Sequence, residues 1–169
     1  MAKRRSRCPH VYATADPDRW VLTFGDAGGG GQAIWYRPHP RSATTVLIID
    51  LERLVAQAVA TADFPVPVHT WPPAKLERFC ATQFATFERP ERTQLETPSL
   101  TLQSDHHGPS WRRWLGLHHQ VAITNGRHRL SVARHLGAQC VPVEVPEEQG
   151  AVLKRLIGCR CCRGVGVFK

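Results

Sequence analysis

Nowhere do about 18 apolar residues follow one another without interruption, the length that a membrane-spanning helix needs. The opening MAKRRSRCPH is basic, with no apolar stretch behind it. Neither a spanning helix nor a secretory signal is therefore expected, and the chain is read as cytoplasmic. A disulfide framework is missing too: of six cysteines, three crowd at Cys159, Cys161 and Cys162, while Cys8, Cys80 and Cys140 are scattered. Reduced thiols are the expectation. The C-x-C-C cluster lacks the paired second half of a zinc site, so it reads as a thiol-rich tail before it reads as a metal ligand set. No internal repeat is visible. Nor is there room for a helix-turn-helix module, because about one helix, Glu147 to Ile157, follows the last strand. With 169 residues, 42% of them apolar, the chain suits one packed core.

Acidic residues are absent from three stretches: the first ten residues, 106–143, and the tail from 151. These hold Lys3, Arg4, Arg5 and Arg7; Arg112, Arg113, Arg127, Arg129 and Arg134; and Lys154, Arg155, Arg160, Arg163 and Lys169, which accounts for the net charge of +8. An anionic partner is implied: nucleic acid, nucleotide phosphate, an acidic protein or an anionic membrane surface. Basic tails alone are as well explained by solubility or loose RNA binding. The central stretch is harder to dismiss, because it also carries six of the nine histidines and two of the five tryptophans.

Arg19–Phe24 and Ala33–Tyr36 are short β-rich runs separated by GDAGGGGQ, which suits a hairpin loop. Gly28–Gly31 as a phosphate cradle is weaker, since no GK[ST] and no helix follow. Thr44–Ile49 predict a strand. Asp50 then caps a helix with Leu51, Leu54, Val55, Ala58, Val59 and Ala62 on one face. A Pro-rich connection (Pro65, Pro67, Pro72, Pro73) leads to a second helix presenting Leu76, Phe79, Cys80, Phe84 and Phe87, ending before Pro90. Residues 90–110 read as a long polar loop broken by Leu100 and Leu102, which could form a short strand. Trp111 and Trp114 beside Arg112 and Arg113 suit base stacking or the anchoring of a short helix equally well. Asp105-His106-His107 and His118-His119 have ligand chemistry without a diagnostic spacing.

Residues 118–145 read strand, tight turn, helix, strand: Gln120–Thr124, Asn125-Gly126, Arg127–Leu136 with Gly137 after it, and Cys140–Val145. Asn125 is a good helix cap and Gly126 permits close backbone approach, leaving first-turn amides to point at an anion. At about 100° per residue, Val132, Ala133 and Leu136 lie near Arg129, while Arg127, Ser131 and Arg134 fall opposite. Arg129 thus sits on the apolar face. Its guanidinium must emerge at the helix mouth or be paired inside, and either outcome puts it beside the amides.

The run ITNGRHRLSVARHLGAQCVPVEV resembles the box of the ParB/sulfiredoxin superfamily, over about 26 residues from Gln120 to Val145. That resemblance implies a single α+β domain, a mixed sheet with flanking helices over residues 17–158, between a basic segment 1–16 and a basic Cys-rich tail 159–169. It also implies nucleotide phosphate bound at the turn. Sulfiredoxins carry their reducing cysteine where Arg127 stands, so sulfinate reduction is not expected. Segregation ParB proteins have an acidic residue there and a helix-turn-helix domain afterwards; this chain has neither, so CTP-switched clamping is not expected.

In size, basic character and its single box the chain is similar to the plasmid fertility inhibition proteins, bacterial factors that block conjugative or T-DNA transfer through type IV secretion systems. The resemblance implies ATP and DNA as substrates of phosphoester hydrolysis, and secretion coupling components as partners. It is compatible with a peripheral place at the bacterial inner membrane. On this reading Asn125 orients the turn, the Gly126 and Arg127 amides hold phosphate, Arg127 and Arg129 neutralise developing charge, and His128 is the general acid or base. Arg112, Arg113 and Arg134 would meet DNA. No carboxylate is adjacent in sequence, so any Mg²⁺ ligand comes from elsewhere, with Asp105 and Glu144 as candidates. Two rivals stand beside it: binding of nucleotide or nucleic acid without turnover, and a scaffold whose basic tails dock on a secretion component.

Overall fold

A computed structural model describes residues 11–13, 16, 18–23, 32–36, 43–58, 64–83, 95–104 and 119–160. The Gly-rich segment 24–31, Phe84 and Phe87, Asp105 to His118 with Arg112 and Arg113, and the terminal cysteines Cys161 and Cys162 lie outside these residues, as does most of the basic N-terminal segment.

The strand-rich first half follows from its β-branched and aromatic runs. Strands β1 (Val11–Ala13), β2 (Arg19–Thr23) and β3 (Gln32–Tyr36) pair antiparallel, and β5 (Leu95–Glu96) adds to β3 in parallel. Trp20 and Trp35 are direct cross-strand partners and both are buried. A second sheet has the order β4, β8, β6, β7, comprising β4 (Thr44–Asp50), β8 (Cys140–Pro146), β6 (Ser99–Ser104) and β7 (His119–Asn125). Its β4–β8 and β6–β7 pairs are antiparallel and its β6–β8 pair parallel, so it is mixed.

Four successive residues of β8, Cys140 to Val143, are buried. Successive side chains of a strand point to opposite faces, so β8 is covered on both. The cover comes from β1 and β2 of the first sheet and from the helix α4 (Glu147–Ile157). Asp50 caps α1 (Leu51–Gln57) as expected, its Oδ1 accepting the Arg53 N–H at 3.0 Å. In turn, the Arg53 guanidinium donates to the carbonyls of Arg155 and Gly158 at the end of α4.

Several expectations are corrected. Helix α1 stops at Gln57 rather than running on to Ala62, because Ala58 turns extended and forms a parallel bridge with Val121. The stretch 90–110, read as a long loop, does hold the short strand suggested at Leu100 and Leu102: it is β6, interior to its sheet with Leu100 fully buried, and β5 precedes it. Polarity misleads here because β6 takes its partners from distant β7 and β8. The parallel pairing with β8 is brief, since β8 ends at Pro146, which has no N–H. The Leu102 N–H finds Gln149 Oε1 on α4 instead, at 2.7 Å. Two residues that flank 17–158 are packed: Val11 is buried within β1, and Cys159 is buried with its sulfur 2.7 Å from that of Cys140 and its N–H donating to the Ile48 carbonyl. No described helix is long and apolar enough to cross a membrane.

Candidate phosphate site at the glycine turn

β7 leads into the nine-residue helix α3 (Arg127–His135) through a single residue, Gly126. The register of β7 on β6 shifts at its end, where Ser99 faces Asn125 while Leu100 faces Ile123, and Thr124 Oγ1 donates to Ser99 O at 2.9 Å. Such an irregularity re-aims the chain at a sheet edge. Gly126 then takes φ 86° and ψ 15°, the left-handed region that favours glycine. A side chain is also sterically excluded: an added Cβ would lie 2.8 Å from Pro98 Cβ and 3.1 Å from Pro98 Cα. The turn therefore requires glycine for both its conformation and its contact.

Gly126, not Asn125, is the N-cap, and it offers no side-chain cap bond. The first intrahelical bond runs from Leu130 N–H to Gly126 O, which leaves the His128 and Arg129 amides ahead of the helical ladder. Asn125 Oδ1 accepts from Arg129 Nη2 at 3.1 Å instead of capping, and Arg129 Nη1 donates to the Glu96 carbonyl. Arg129 is half-buried beside the turn. Desolvation pushes its pKa down, opposed by the charges of Glu96 and Tyr36. The guanidinium is thus where the wheel put it, at the helix mouth, but tied to β5 and β7. Glu96 escaped the sequence reading because nothing local marks a strand in a Pro-flanked polar stretch.

Around this turn opens a cleft of about 520 Å³, lined by Phe79 of α2 (Pro73–Gln83), Ile123 and the run Thr124–Arg129. The lining brings together Asn125, Gly126, Arg127, His128 and Arg129, all named from the sequence, and among the described residues it includes no carboxylate. His128 is exposed, with its ring 6.0 Å from that of Trp71.

Other candidates lie elsewhere. Arg134 is engaged by Glu52 in a two-point ion pair, Nε–Oε1 2.7 Å and Nη2–Oε2 3.0 Å, rather than presenting a spare cation. Its partner is 82 residues away in sequence, which no local pattern reveals. The Glu144 carboxylate accepts the Thr44 hydroxyl and does not line the cleft. Ser131, assigned to the outer face, is 4% exposed, its Oγ accepting the Val66 N–H at 3.0 Å. The Pro-rich connection covers that face of α3. Asp105, Arg112 and Arg113 lie outside the described residues. Among the described residues, no three His, Cys, Asp or Glu side chains group as a metal site.

A mixed sheet carrying helices, with a strand, glycine turn, helix and strand at the site, makes this an α+β fold of ParB/sulfiredoxin-like architecture. The crystal structure of the oncogenic suppression activity protein, a plasmid fertility inhibition factor, in its gold(I) cyanide derivative, shares it. The two chains superpose with a TM-score of 0.59 at 13% identity, over 93% of this chain and 78% of that one. At that identity the likeness is one of fold. No protein-family model matches the chain, and no curated protein sequence does.

Proposed function

We propose that the chain binds nucleotide and nucleic-acid phosphate at the Gly126 turn and hydrolyses phosphoesters there, as a plasmid-encoded fertility inhibition factor acting on ATP and DNA. The observation that carries this reading is the cleft itself: among the described residues its lining holds Arg127, His128 and Arg129 and no acid, at amides that precede a helical ladder. Helix N-termini and cations both favour oxyanions. The shared fold with a fertility inhibition factor supports the biological setting, a block to conjugative or T-DNA export by a type IV secretion system, with coupling components as partners.

In this reading Arg127 and the turn amides take phosphate. His128, the imidazole of the run, moves the proton. Arg129 contributes charge and holds the turn to Glu96 and Asn125. Among the described residues of the lining no carboxylate is offered to Mg²⁺, which favours one or two of them with phosphate oxygens, and Asn125 Oδ1 is already bonded to Arg129. In this reading the chain's own cations and imidazole carry the hydrolysis, and a Mg²⁺ ligand, where one is used, comes from outside the described lining.

Arg129's bonds within its own fold favour a second reading, binding without turnover. Phosphate release from ATP and nicking of supercoiled DNA, measured on the wild type and on His128→Ala alongside nucleotide binding, separate the two. Hydrolysis that vanishes in His128→Ala while binding persists is the expected result. Binding with no turnover in the wild type would favour the second reading, and no binding would refute both.

A further inference from the structure

The connection from Phe64 to Pro73 carries Pro65, Pro67, Pro72 and Pro73, and proline restricts φ at each. Phe64 and Val68 are buried, and the Val66 N–H is held by Ser131 Oγ of α3 at 3.0 Å. One short turn follows, Val68–Thr70, with Thr70 N–H and Oγ1 both donating to Pro67 O and Trp71 N–H donating to Val68 O at 3.0 Å. The connection is thus docked on α3, and Trp71 stands at its end.

The Trp71 indole is held from several sides. The Lys75 ammonium lies 4.1 Å from its ring centroid, and Phe79, itself a wall of the cleft, meets it edge-on with centroids 5.6 Å apart at 66°. The His128 imidazole leans against it at 6.0 Å and 37°. Among the described residues neither His128 nitrogen has a hydrogen-bond partner. That pattern has a chemical consequence. A carboxylate or carbonyl that oriented the ring would occupy one nitrogen, whereas an aromatic contact restrains the ring by its body and leaves both edge nitrogens to a ligand.

We infer that Trp71 is a positioning residue for His128, and that the Pro-rich connection belongs to the site as the brace that presents it. The inference rests on the proposed role of His128 at the cleft. An exposed histidine without such a restraint samples several rotamers, and misplacement of a proton-transfer group lowers turnover more than binding.

The test uses Trp71→Leu, which removes the aromatic ring, and Trp71→Phe, which keeps a smaller one. Ring ¹H–¹³C signals of His128, assigned with His128→Ala, are recorded in the full chain together with kcat and KM for phosphate release from ATP and with thermal melts. In Trp71→Leu the His128 signals should lose their ring-current displacement. Its kcat should fall about tenfold, a fraction of the about 10²–10⁴ that a positioned acid–base group supplies, with KM within about twofold. Trp71→Phe should lie between. His128 signals unmoved in Trp71→Leu, or kcat and KM lost only in step with folding, would overturn the inference. Should Trp71→Leu not fold, Trp71→Phe decides alone, since its weaker ring current must shift the same signals partway and unmoved signals again refute it. If the wild type releases no phosphate, the hydrolytic reading fails by itself, and the His128 signals still decide whether Trp71 positions the ring.

Discussion

Gly126→Ala tests the turn on which the site is built. Two costs act together. A non-glycine residue at φ 86° bears the left-handed penalty of about 1–2 kcal/mol. The new Cβ lies 2.8 Å from Pro98 Cβ, closer than carbon atoms approach in packed interiors, and overpacking of this kind costs about 1–3 kcal/mol. A total of about 2–5 kcal/mol follows, a large share of the about 5–15 kcal/mol that stabilises ordinary domains. For a chain of this size each kcal/mol moves the midpoint by about 2–4 °C, so a fall of about 4–20 °C is expected in a thermal melt. The two costs separate by substitution. Gly126→Asn should recover much of the conformational part, because asparagine tolerates the left-handed region, while keeping the clash. Pro98→Gly in the Gly126→Ala background removes the two nearest side-chain atoms, so the double-mutant cycle should show a coupling of about 1 kcal/mol or more. A Gly126→Ala midpoint within about 2 °C of the wild type, or no coupling to Pro98, would refute the geometry of the turn and with it the site.

Arg129→Lys keeps the charge but cannot span Glu96 O and Asn125 Oδ1 together, so urea unfolding should report a loss of about 1–3 kcal/mol; unchanged stability with lost nucleotide binding would instead make Arg129 a direct phosphate ligand. The Arg134 hydrogen bond holds the Glu52 carboxyl below its ordinary value of 4.5. The pair's stabilisation is therefore present above about pH 4.5 and lost as pH falls through the lowered folded value. Because Glu52 is mostly exposed, it is worth only about 0.2–1 kcal/mol, checked by comparing Glu52→Gln with wild type in melts at pH 7 and pH 3. Glu52→Gln also releases Arg134, and if that face meets DNA the salt dependence of binding should steepen by up to about 0.9 in slope; an unchanged slope would remove Arg134 from the interface. Ser131→Ala leaves the Val66 N–H without its acceptor and should lower the midpoint by about 2–4 °C, for a cost of about 1 kcal/mol.

The unit from β7 through α3 to β8 was legible in the sequence because its determinants are local: β-branched strands, one glycine where φ is positive at 126 and another at 137, and an apolar helical face. The same holds for β4 and the Asp50 cap. What was illegible depends on residues far apart in the chain. Leu100 and Leu102 suggest a short strand, but the polar residues around them do not announce its interior place in a sheet, which β7 and β8 create by flanking it. The helical wheel placed Ser131 outside because hydrophobicity cannot foresee that Val66 would cover that face and bring the N–H which makes a buried hydroxyl tolerable. The capping rule favoured Asn125, yet the left-handed Gly126 took the cap position and left the amide side chain to Arg129. Arg129 is where the two levels meet. Its place on the apolar face was readable from spacing, but the Glu96 carbonyl that receives it lies 33 residues earlier. Since those bonds commit much of its donor fork to the fold, the proposed function leaves phosphate to Arg127 and the turn amides and proton transfer to His128. The orientation of His128 in turn depends on Trp71, 57 residues earlier in the sequence. A run of five residues can therefore mark a turn and its cleft, while the contacts of each side chain are set by the segments that close around it.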